Sequence, residues 1–247
     1  MSRGFVIMAQ NSEHVDYVAC AKQLEKSIKH VMPDANVTII TSDMLPHGDT
    51  GGFTNDWQVY EASPYEYTIK LEADMFIPKD ISYWFDVLEP HDIIVSSKIR
   101  NFKQEISDIK MYRQFIVDNK LPDVYNAITY FKKSEKAEQF FNTVRNIFEN
   151  WEDYKKILKC DSDEPASTDY VYSIACHVIG VDKTTLPTFD QMSMIHMKQY
   201  INNTLLEDWT TEFMYELDDT GLRVNTIRQE YPFHYHVKKF VEVLDAR

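Results

Sequence analysis

Two acids stand where a buried strand should end. In the stretch 68-TIKLEADMFIPKD-80, residues 67–71 have the apolar pattern of a strand, and Glu72 and Asp74 follow with only Ala73 between them. Two carboxylates at this spacing can share Mg²⁺ or Mn²⁺, ions that proteins hold with one or two carboxylates and the phosphates of a substrate. Such an ion neutralises charge on a leaving diphosphate. The other interpretation is structural: the acids cap the segment that follows.

Three histidines offer the further ligand that such a site would use. His196 lies in 194-MIHMK-198, and His234 and His236 alternate in 231-YPFHYHVKKF-240, which puts both on one face of an extended segment. A neutral imidazole beside carboxylates suits Mn²⁺. Each ring could instead be satisfied by packing in the core, and His234 or His236 could contact a second substrate. Which of the three binds metal stays open.

The opening of the chain predicts the sheet that would hold these residues. Residues 4–9 form an apolar run, apolar residues recur at helical spacing over 15–31, and 37–43 is a second apolar run with a polar end. Strand, helix and strand in this order indicate a parallel βαβ unit. Ligands of open parallel sheets bind outside the carboxyl ends of the strands, where Glu72 and Asp74 would lie.

The α/β pattern continues as far as residue 180. From residue 186 onward the pattern is irregular, and no repeat or linker divides the chain, so we predict a single domain over 1–247. Further strands are predicted at 92–97 and 124–134, and further helices at 55–63, 98–120, 135–159 and 166–180.

The composition is that of a globular protein in a reducing compartment. Hydrophobic residues make up 44% of the 247, and the three cysteines (Cys20, Cys160 and Cys176) are far apart and form no CxxC pair. This pattern disfavours a disulfide framework and a structural zinc site. No signal-peptide pattern opens the chain, and no stretch approaches the roughly 20 apolar residues of a membrane-spanning helix. We therefore expect a cytoplasmic protein without membrane insertion.

Several segments resemble the GT-A glycosyltransferases, a branch of the nucleotide-diphospho-sugar transferases. LEADMFIP (residues 71–78) resembles their LDADxxxP stretch, in which the so-called DxD motif binds a metal and the diphosphate of a sugar nucleotide. The resemblance covers about residues 4–198 and implies a Rossmann-like α/β fold with a mostly parallel central sheet flanked by helices, and a C-terminal elaboration. The other similar pieces, in family order, are 125-YNAITYFKKSEKAEQFF-141, 163-DEPASTDYVYSIA-175, and two elements of the glycogenin-like and galactosyltransferase-like branch, 186-LPTFD-190 and 194-MIHMK-198.

The resemblance implies an enzyme and assigns its parts. A metal-dependent transferase would move a sugar from a nucleotide-diphosphate sugar, with UDP-sugar favoured, to an acceptor hydroxyl. Residues 1–97 would bind the donor, 98–198 would hold the acceptor and catalytic groups, and 199–247 would be the C-terminal elaboration. The ion would be Mn²⁺ or Mg²⁺, with Asp74, Glu72, His196 and His236 as candidate ligands. Because Glu72 stands where the family has Asp, we expect Asp74 to be the firmer ligand.

The remaining roles that the resemblance implies fall on the donor, the reacting sugar and the acceptor. The candidate donor contacts are Ala9, Gln10, Asn11, Asp43, Glu72, Asp74 and Lys198. The candidate catalytic carboxylates are Asp169 and Asp163, and helix capping is the rival role for Asp163. The candidate acceptor contacts are Asn126, His234, Lys98 and Arg100. Whether the reaction inverts or retains configuration stays open.

One segment is basic although the chain as a whole is acidic. The formal net charge of -13 weighs against sequence-independent binding of nucleic acid, yet residues 96–113 carry five basic and two acidic side chains, among them Lys98 and Arg100. A polyanionic acceptor such as DNA could dock there. The small chain without a signal peptide also resembles in style the glycosyltransferases of large bacteriophages, some of which modify hydroxymethylated bases of phage DNA. A glycan is the other candidate acceptor, and a solvated helix face is the structural interpretation of the segment.

Two other classes fit parts of the pattern. A sugar-nucleotide nucleotidyltransferase on the same fold would carry a glycine-rich, lysine-containing loop after its first strand, and 8-MAQNSEH-14 has no glycine. A non-catalytic nucleotide-binding module would keep the fold without the chemistry. The donor sugar, the acceptor and the oligomeric state are not indicated by the sequence.

Overall fold

A computed structural model of the chain describes residues 2–108, 113–159 and 165–245, so the candidate catalytic residue Asp163 lies outside the described residues. The helices are α1 (Tyr17–Val31), α2 (Val59–Ala62), α3 (Trp84–Leu88), α4 (Gln114–Asp118), α5 (Glu135–Glu149), α6 (Trp151–Ile157), α7 (Thr168–Ile179), α8 (Val181–Thr184), α9 (Gln199–Asn202) and α10 (Val241–Asp245). The strands are β1 (Arg3–Met8), β2 (Val37–Ile40), β3 (Tyr67–Glu72), β4 (Met75–Phe76), β5 (Ile93–Ser96), β6 (Ile99–Arg100), β7 (Tyr125–Lys132), β8 (Met194–His196), β9 (Tyr215–Asp218), β10 (Gly221–Val224), β11 (Ile227–Arg228) and β12 (Phe233–His234). Short 3₁₀ helices cover Ser42–Met44, Gly52–Gln58, Trp209–Thr211 and Lys238–Phe240.

The central sheet has five strands in the order β2-β1-β3-β7-β5. β1 runs parallel to β2 and β3, whereas β7 runs antiparallel to both β3 and β5. Four of the five strands therefore point the same way, which confirms the predicted mostly parallel α/β sheet. The carboxyl ends of these four strands share one edge, and because β7 is reversed, its amino end with Asn126 meets the same edge.

Alternate residues of each strand enter two cores on opposite faces of the sheet. Phe5 and Ile7 of β1 face the core that α1 and α3 cover, and Val6 faces the core under α5 and α7. Because both faces are buried, the strands read as continuous apolar runs instead of alternating ones. Lys70 of β3 departs from this pattern: it is a fully buried charge whose ammonium lies 5.7 Å from the centre of the Tyr172 ring of α7.

Two of the predicted helices need correction. Residues 135–159, predicted as one helix, form α5 and α6, which meet at Asn150. The segment 98–120, also predicted as a helix, begins with β6 and contains only the short α4 among its described residues. The reason is a long-range contact: β6 pairs in parallel with β8, some way along the chain, and local helical spacing carries no sign of that partner.

A second sheet closes over the carboxyl edge of the first. Its order is β4-β12-β8-β6, with β12 parallel to β8 and antiparallel to β4. In this register His234 stands beside His196 on one side and beside Met75 on the other. A third core packs against this second sheet and is built around Trp209, Phe233 and Phe240. The C-terminal residues therefore return to the end of β3 and do not form a separate appendage.

A small antiparallel sheet of β9, β10 and β11 completes the described part of the C-terminal region. Of the helices that the structure describes, none combines the length and the apolar character needed to span a membrane.

Candidate functional site

The end of β3 places Asp74 beneath the second sheet. β3 stops at Glu72, and two residues later β4 begins with Met75, which pairs with His234 of β12. The backbone carbonyl of Asp74 accepts a hydrogen bond from the N–H of Tyr235 (3.2 Å), so the turn is tied to the same segment. The Asp74 side chain is buried, with 5% of its surface exposed.

His234 contacts both acids of the predicted pair. Its Nε2 lies 2.8 Å from Oδ2 of Asp74 and 3.5 Å from Oε2 of Glu72. The ring centre of His196 is 4.7 Å from that of His234, as the pairing of β8 with β12 requires. The three segments that sequence reasoning singled out, 72–74, 194–198 and 231–240, thus meet at one place.

His236 reaches the same place through a strained turn. The N–H of Val237 donates to the carbonyl of Tyr235 (2.6 Å), which closes a γ-turn, and His236 at its centre has φ of 60°. A left-handed backbone is uncommon for a residue other than glycine, and such strain gathers at functional sites. The turn ends the extended segment just after β12, yet both histidines face the cavity described below, as alternation predicts.

These side chains form a group that fits a divalent cation. One oxygen of Asp74 and one ring nitrogen from each of His234 and His236 lie within 4.8 Å of one another. Ligands at about 2.1 Å from a shared Mg²⁺ stand at most about 4.2 Å apart, so the spacing is close to what one ion needs. In the described part of the chain, Nδ1 of His234 is buried without a hydrogen-bond partner. Carboxylate and imidazole donors together suit Mn²⁺.

Only some of the predicted metal ligands belong to this three-residue group. Asp74 and His236 belong to the three-residue group, and His234, assigned above to the acceptor, joins them. Glu72 and His196 lie beside the group without being members of it. His196 is buried, and its Nδ1 has no partner among the described residues.

Burial and neighbouring charges set the protonation of this group. Burial alone would raise the pKa of Asp74, but His234 and Lys238 hold that pKa well below its usual range, so the carboxylate is ionised. Burial raises the pKa of Glu72. Burial also lowers the pKa of His236 to about 4 and that of His196 well below its ordinary value. Both rings are therefore neutral near pH 7 and able to bind a metal.

Lys238 lies in the candidate site beside Asp74 and was not predicted from the sequence. Its ammonium forms an ion pair with Oδ2 of Asp74 and lies 5.6 Å from the centre of the Tyr17 ring. Burial would lower the pKa of Lys238, but the Asp74 carboxylate outweighs that effect and the pKa is raised. The signal was present in FHYHVKKF, where a lysine follows the histidines at short spacing.

A cavity of about 630 Å³ opens over these residues, a size typical of small-ligand sites. It extends from the Asp74 group across the amino end of β7 to the first turn of α7. Nine of the predicted site residues line it: Gln10, Glu72, Asp74, Asn126, Asp169, His196, Lys198, His234 and His236.

Three of the predicted donor contacts do not line the cavity. Ala9 continues the sheet pairing through its N–H, which donates to Ile40 (2.9 Å). The side chain of Asn11 accepts from the N–H of Val18 (2.9 Å), and Asp43 accepts from the hydroxyl of Thr41. The Ala9 backbone and the side chains of Asn11 and Asp43 are engaged by other parts of the chain, so a donor role for these residues stays a prediction that this geometry does not support.

The basic pair predicted for the acceptor also lies off the cavity. Lys98 pairs with Asp190. Arg100 is buried, donates from Nε to Ser193 Oγ (2.8 Å) and lies 4.0 Å from the centre of the Tyr231 ring. These contacts hold β6 against β8, which gives both cations a structural role.

The wall opposite the Asp74 group is built around Asp169. Ser167 caps α7 by accepting from the N–H of Tyr170 (3.4 Å), which places Asp169 in the first turn. Its Oδ2 accepts from the buried guanidinium of Arg113 (2.9 Å), and its Oδ1 accepts from the backbone N–H of Asn126 (3.2 Å). The carboxylate is thus held in one orientation at the cavity surface.

The floor of the cavity holds a buried ion pair that the sequence did not reveal. Lys70 Nζ lies 2.7 Å from Oδ1 of Asp56, and the Tyr172 hydroxyl donates to the other oxygen of Asp56. With its amide oriented to satisfy both neighbours, Asn126 accepts from Lys70 (3.0 Å) and donates to Asp169 (2.9 Å). A continuous polar chain therefore links the 3₁₀ helix at 52–58, β3, β7 and α7.

Comparison with known proteins supports the fold. No protein-family model matches the chain, and neither does any curated protein. Among solved structures, mouse xyloside xylosyltransferase 1 is 9% identical with a TM-score of 0.50, over 95% of this chain and 97% of that one. The glycosyltransferase GlyE of Streptococcus pneumoniae TIGR4 is also 9% identical with a TM-score of 0.50, over 100% of this chain and 61% of that one, so this chain spans less than two thirds of GlyE. The chain therefore has an α/β fold similar to that of these two glycosyltransferases.

Proposed function

We propose that the protein is a metal-dependent glycosyltransferase that takes its sugar from a nucleotide-diphosphate sugar, with UDP-sugar favoured. The observation that carries the proposal is the convergence of Asp74, His234 and His236 with two lysines, Lys198 and Lys238, in one cavity. The cavity lies at the carboxyl edge of a mostly parallel sheet, the place where such folds bind ligands. Two lysines that line the same cavity as a candidate metal site are suited to binding the oxygens of a diphosphate.

The three-residue group would hold Mn²⁺ or Mg²⁺. When bound, such an ion neutralises negative charge on the departing diphosphate. Two imidazoles beside one carboxylate favour Mn²⁺ over Mg²⁺, since Mg²⁺ prefers oxygen ligands. The same donor set occurs in non-haem iron sites, so a metal panel belongs in the test.

The remaining residues would position the reacting sugar. In the transfer, the bond between the anomeric carbon and the diphosphate oxygen breaks, and a bond from the acceptor hydroxyl to that carbon forms. The nucleoside diphosphate leaves with the bonding electron pair, and the acceptor proton passes to a base or to the leaving oxygen. Asp169 faces this space with both oxygens already engaged by Arg113 and Asn126. A carboxylate held in this way is suited to orienting a sugar hydroxyl or facing the anomeric carbon.

A glycan hydroxyl is the acceptor that we propose. A hydroxymethylated base of DNA, the other acceptor considered, would need cations at the cavity mouth, and Lys98 and Arg100 are instead tied to Asp190 and Ser193. The net charge of -13 adds to the argument, because an acidic surface repels a polyanion.

The test is a thermal-shift panel of UDP, GDP and CDP and their sugars, with Mn²⁺, Mg²⁺, Fe²⁺ or no metal. We expect Mn²⁺ with UDP to raise the Tm, and Asp74→Asn to remove most of the metal-dependent rise. Glu72→Gln should remove less, because Glu72 lies outside the three-residue group. Asp86→Asn, an acid with 70% of its side chain exposed and no part in the cavity lining, is the matched control and should leave the shift unchanged.

Activity is then read as release of free nucleoside diphosphate and as sugar added to glycan acceptors, both by mass spectrometry. Absence of any shift with every nucleoside diphosphate would sink the proposal. Binding without turnover would point to a non-catalytic module. Release of pyrophosphate from a nucleoside triphosphate and a sugar phosphate would point to a nucleotidyltransferase.

A further inference from the structure

The ammonium of Lys238 lies against the carboxylate that a bound metal would use. Asp74 is the only carboxylate in the three-residue group, and its Oδ2 takes both His234 and the ammonium of Lys238. A divalent cation bound to Asp74 would therefore stand next to a like charge. Repulsion between neighbouring like charges is strong in a partly buried site, so an ammonium that stays against this carboxylate opposes binding of the ion.

The side chain of Lys238 has somewhere to move although its backbone is fixed. Its residue opens the 3₁₀ helix Lys238–Phe240, and Phe240 is buried in the third core. The side chain itself is 27% exposed and lines the cavity. An ammonium on a flexible four-carbon stem can swing while its Cα stays in place.

The donor would supply the new partner for this ammonium. A diphosphate bridging to the ion at Asp74 would bring negative oxygens into the cavity that Lys238 faces, and lysine is a common phosphate ligand. Without the donor, an ammonium that left Asp74 would exchange a carboxylate for the face of the Tyr17 ring, which is a weaker partner. The charge on Asp74 is thus balanced by Lys238 before binding and by the metal afterwards.

We propose that Lys238 is an exchangeable counter-ion: it neutralises Asp74 in the free protein and passes from the carboxylate to the diphosphate when metal and donor bind together. The inference rests on the proposed function for its second half, the transfer to a diphosphate. Its first half, competition with the metal, concerns the protein alone. One consequence is that metal and nucleotide each raise the affinity for the other, because each removes part of what opposes the other.

The first arm of the test measures Mn²⁺ binding without nucleotide, by calorimetry and by the electron paramagnetic resonance signal of free Mn²⁺. Lys238→Met removes the competing charge, so it should bind Mn²⁺ about tenfold more tightly than the wild type, a change of about 1.4 kcal/mol. Lys238→Arg keeps the charge and should behave as the wild type does. Lys239→Met is the matched control, since Lys239 is 57% exposed and pairs with Asp208 instead.

The second arm measures UDP binding at saturating Mn²⁺. Lys238→Met should bind UDP about tenfold more weakly, and the mutual enhancement of Mn²⁺ and UDP should shrink by a similar factor. Melting curves of each variant without metal establish that it is folded. If Lys238→Met does not fold, Lys238→Gln replaces it, with the same expected results.

The two halves fail separately. If Lys238→Met and Lys238→Gln leave the affinity for Mn²⁺ alone unchanged or weaken it, or if Lys238→Arg tightens it as much as Lys238→Met does, the exchange is wrong. If Mn²⁺ binding tightens as expected but no nucleoside diphosphate binds the wild type, competition at Asp74 is supported and the proposed function is wrong. If UDP binds and Lys238→Met leaves its affinity unchanged, the transfer to the diphosphate is wrong.

Discussion

Asp74 and Glu72 look like equal partners in the sequence but have different surroundings. His234 and Lys238 lie against Asp74 and keep it ionised, whereas Glu72 lies farther from His234, at 3.5 Å, and burial raises the pKa of Glu72. Asp74 is thus the residue around which the other side chains of the group are arranged. That ranking was predicted from the resemblance, in which Glu72 stands where the family has Asp, but the electrostatic difference between the two acids was not predicted. The contact between Lys238 and Asp74 spans 164 residues, which no local pattern reveals.

The neutral imidazole of His236 leads to a pH prediction for the metal-free protein. Burial lowers the pKa of His236 from 6.5 to about 4. Between these two pKa values the unfolded chain binds a proton that the folded chain does not bind, so the free energy of unfolding falls as the pH falls. We expect the Tm measured in EDTA to drop as the pH falls from about 6.5 to about 4, and the drop to be shallower in His236→Gln.

The matched control for that experiment is His30→Gln, at the exposed last turn of α1. It should keep the wild-type slope of Tm against pH. A slope in His236→Gln equal to that of the wild type would show that folding does not lower the pKa of His236.

At the scale of elements, Lys70 joins the 3₁₀ helix at 52–58 to the central sheet. Its side chain is fully buried and paired with Asp56 at 2.7 Å. Removing one partner of a buried pair leaves the other charge uncompensated, which destabilises by about 3–5 kcal/mol. We expect Lys70→Met to lose stability in this range, measured by urea unfolding followed by circular dichroism.

Lys132→Met, on the same central sheet, is the comparison. Its side chain is 27% exposed and 3.7 Å from Asp92, so its loss should amount to about 1 kcal/mol or less. Equal losses in the two variants would mean that the Lys70 pair contributes no more than a surface contact. A folded Lys70→Met with weaker UDP binding would add that the ion pair shapes the donor cavity.

The elements that could be predicted are those with their own local pattern. The apolar runs at 4–9, 37–43 and 67–71 indicated β1, β2 and β3, because strands buried on both faces of a sheet are apolar at successive residues. Helical spacing of apolar residues indicated α1. β4 and β12 could not be predicted as a pair. Each has two residues, too short for a period, and their pairing joins distant parts of the chain.

At the scale of the molecule, the C-terminal region completes the site instead of extending the fold. The sequence predicted residues 199–247 as an elaboration of one domain, and this division stays a prediction. The structure shows what the region contributes: β12 and the turn after it carry His234, His236 and Lys238 to the end of β3. The third core, which holds Phe233 and Phe240, fixes that segment in place. The sequence identified the three histidines as candidate ligands, but it did not indicate which of them would lie in the group with Asp74.

The distribution of charge over the whole molecule bears on the proposed choice between the two acceptor classes. The chain carries a net charge of -13, Lys98 of the basic segment pairs with Asp190, and Arg100 is buried and donates a hydrogen bond to Ser193. Non-specific DNA binding depends on cations that displace counterions from the phosphates, and typical dissociation constants are about 10⁻⁴–10⁻⁶ M at physiological salt. We expect binding weaker than about 10⁻⁴ M for duplex and single-stranded DNA with hydroxymethylated bases, measured by fluorescence anisotropy. Micromolar, salt-dependent binding that Lys98→Gln weakens would instead favour DNA as the acceptor.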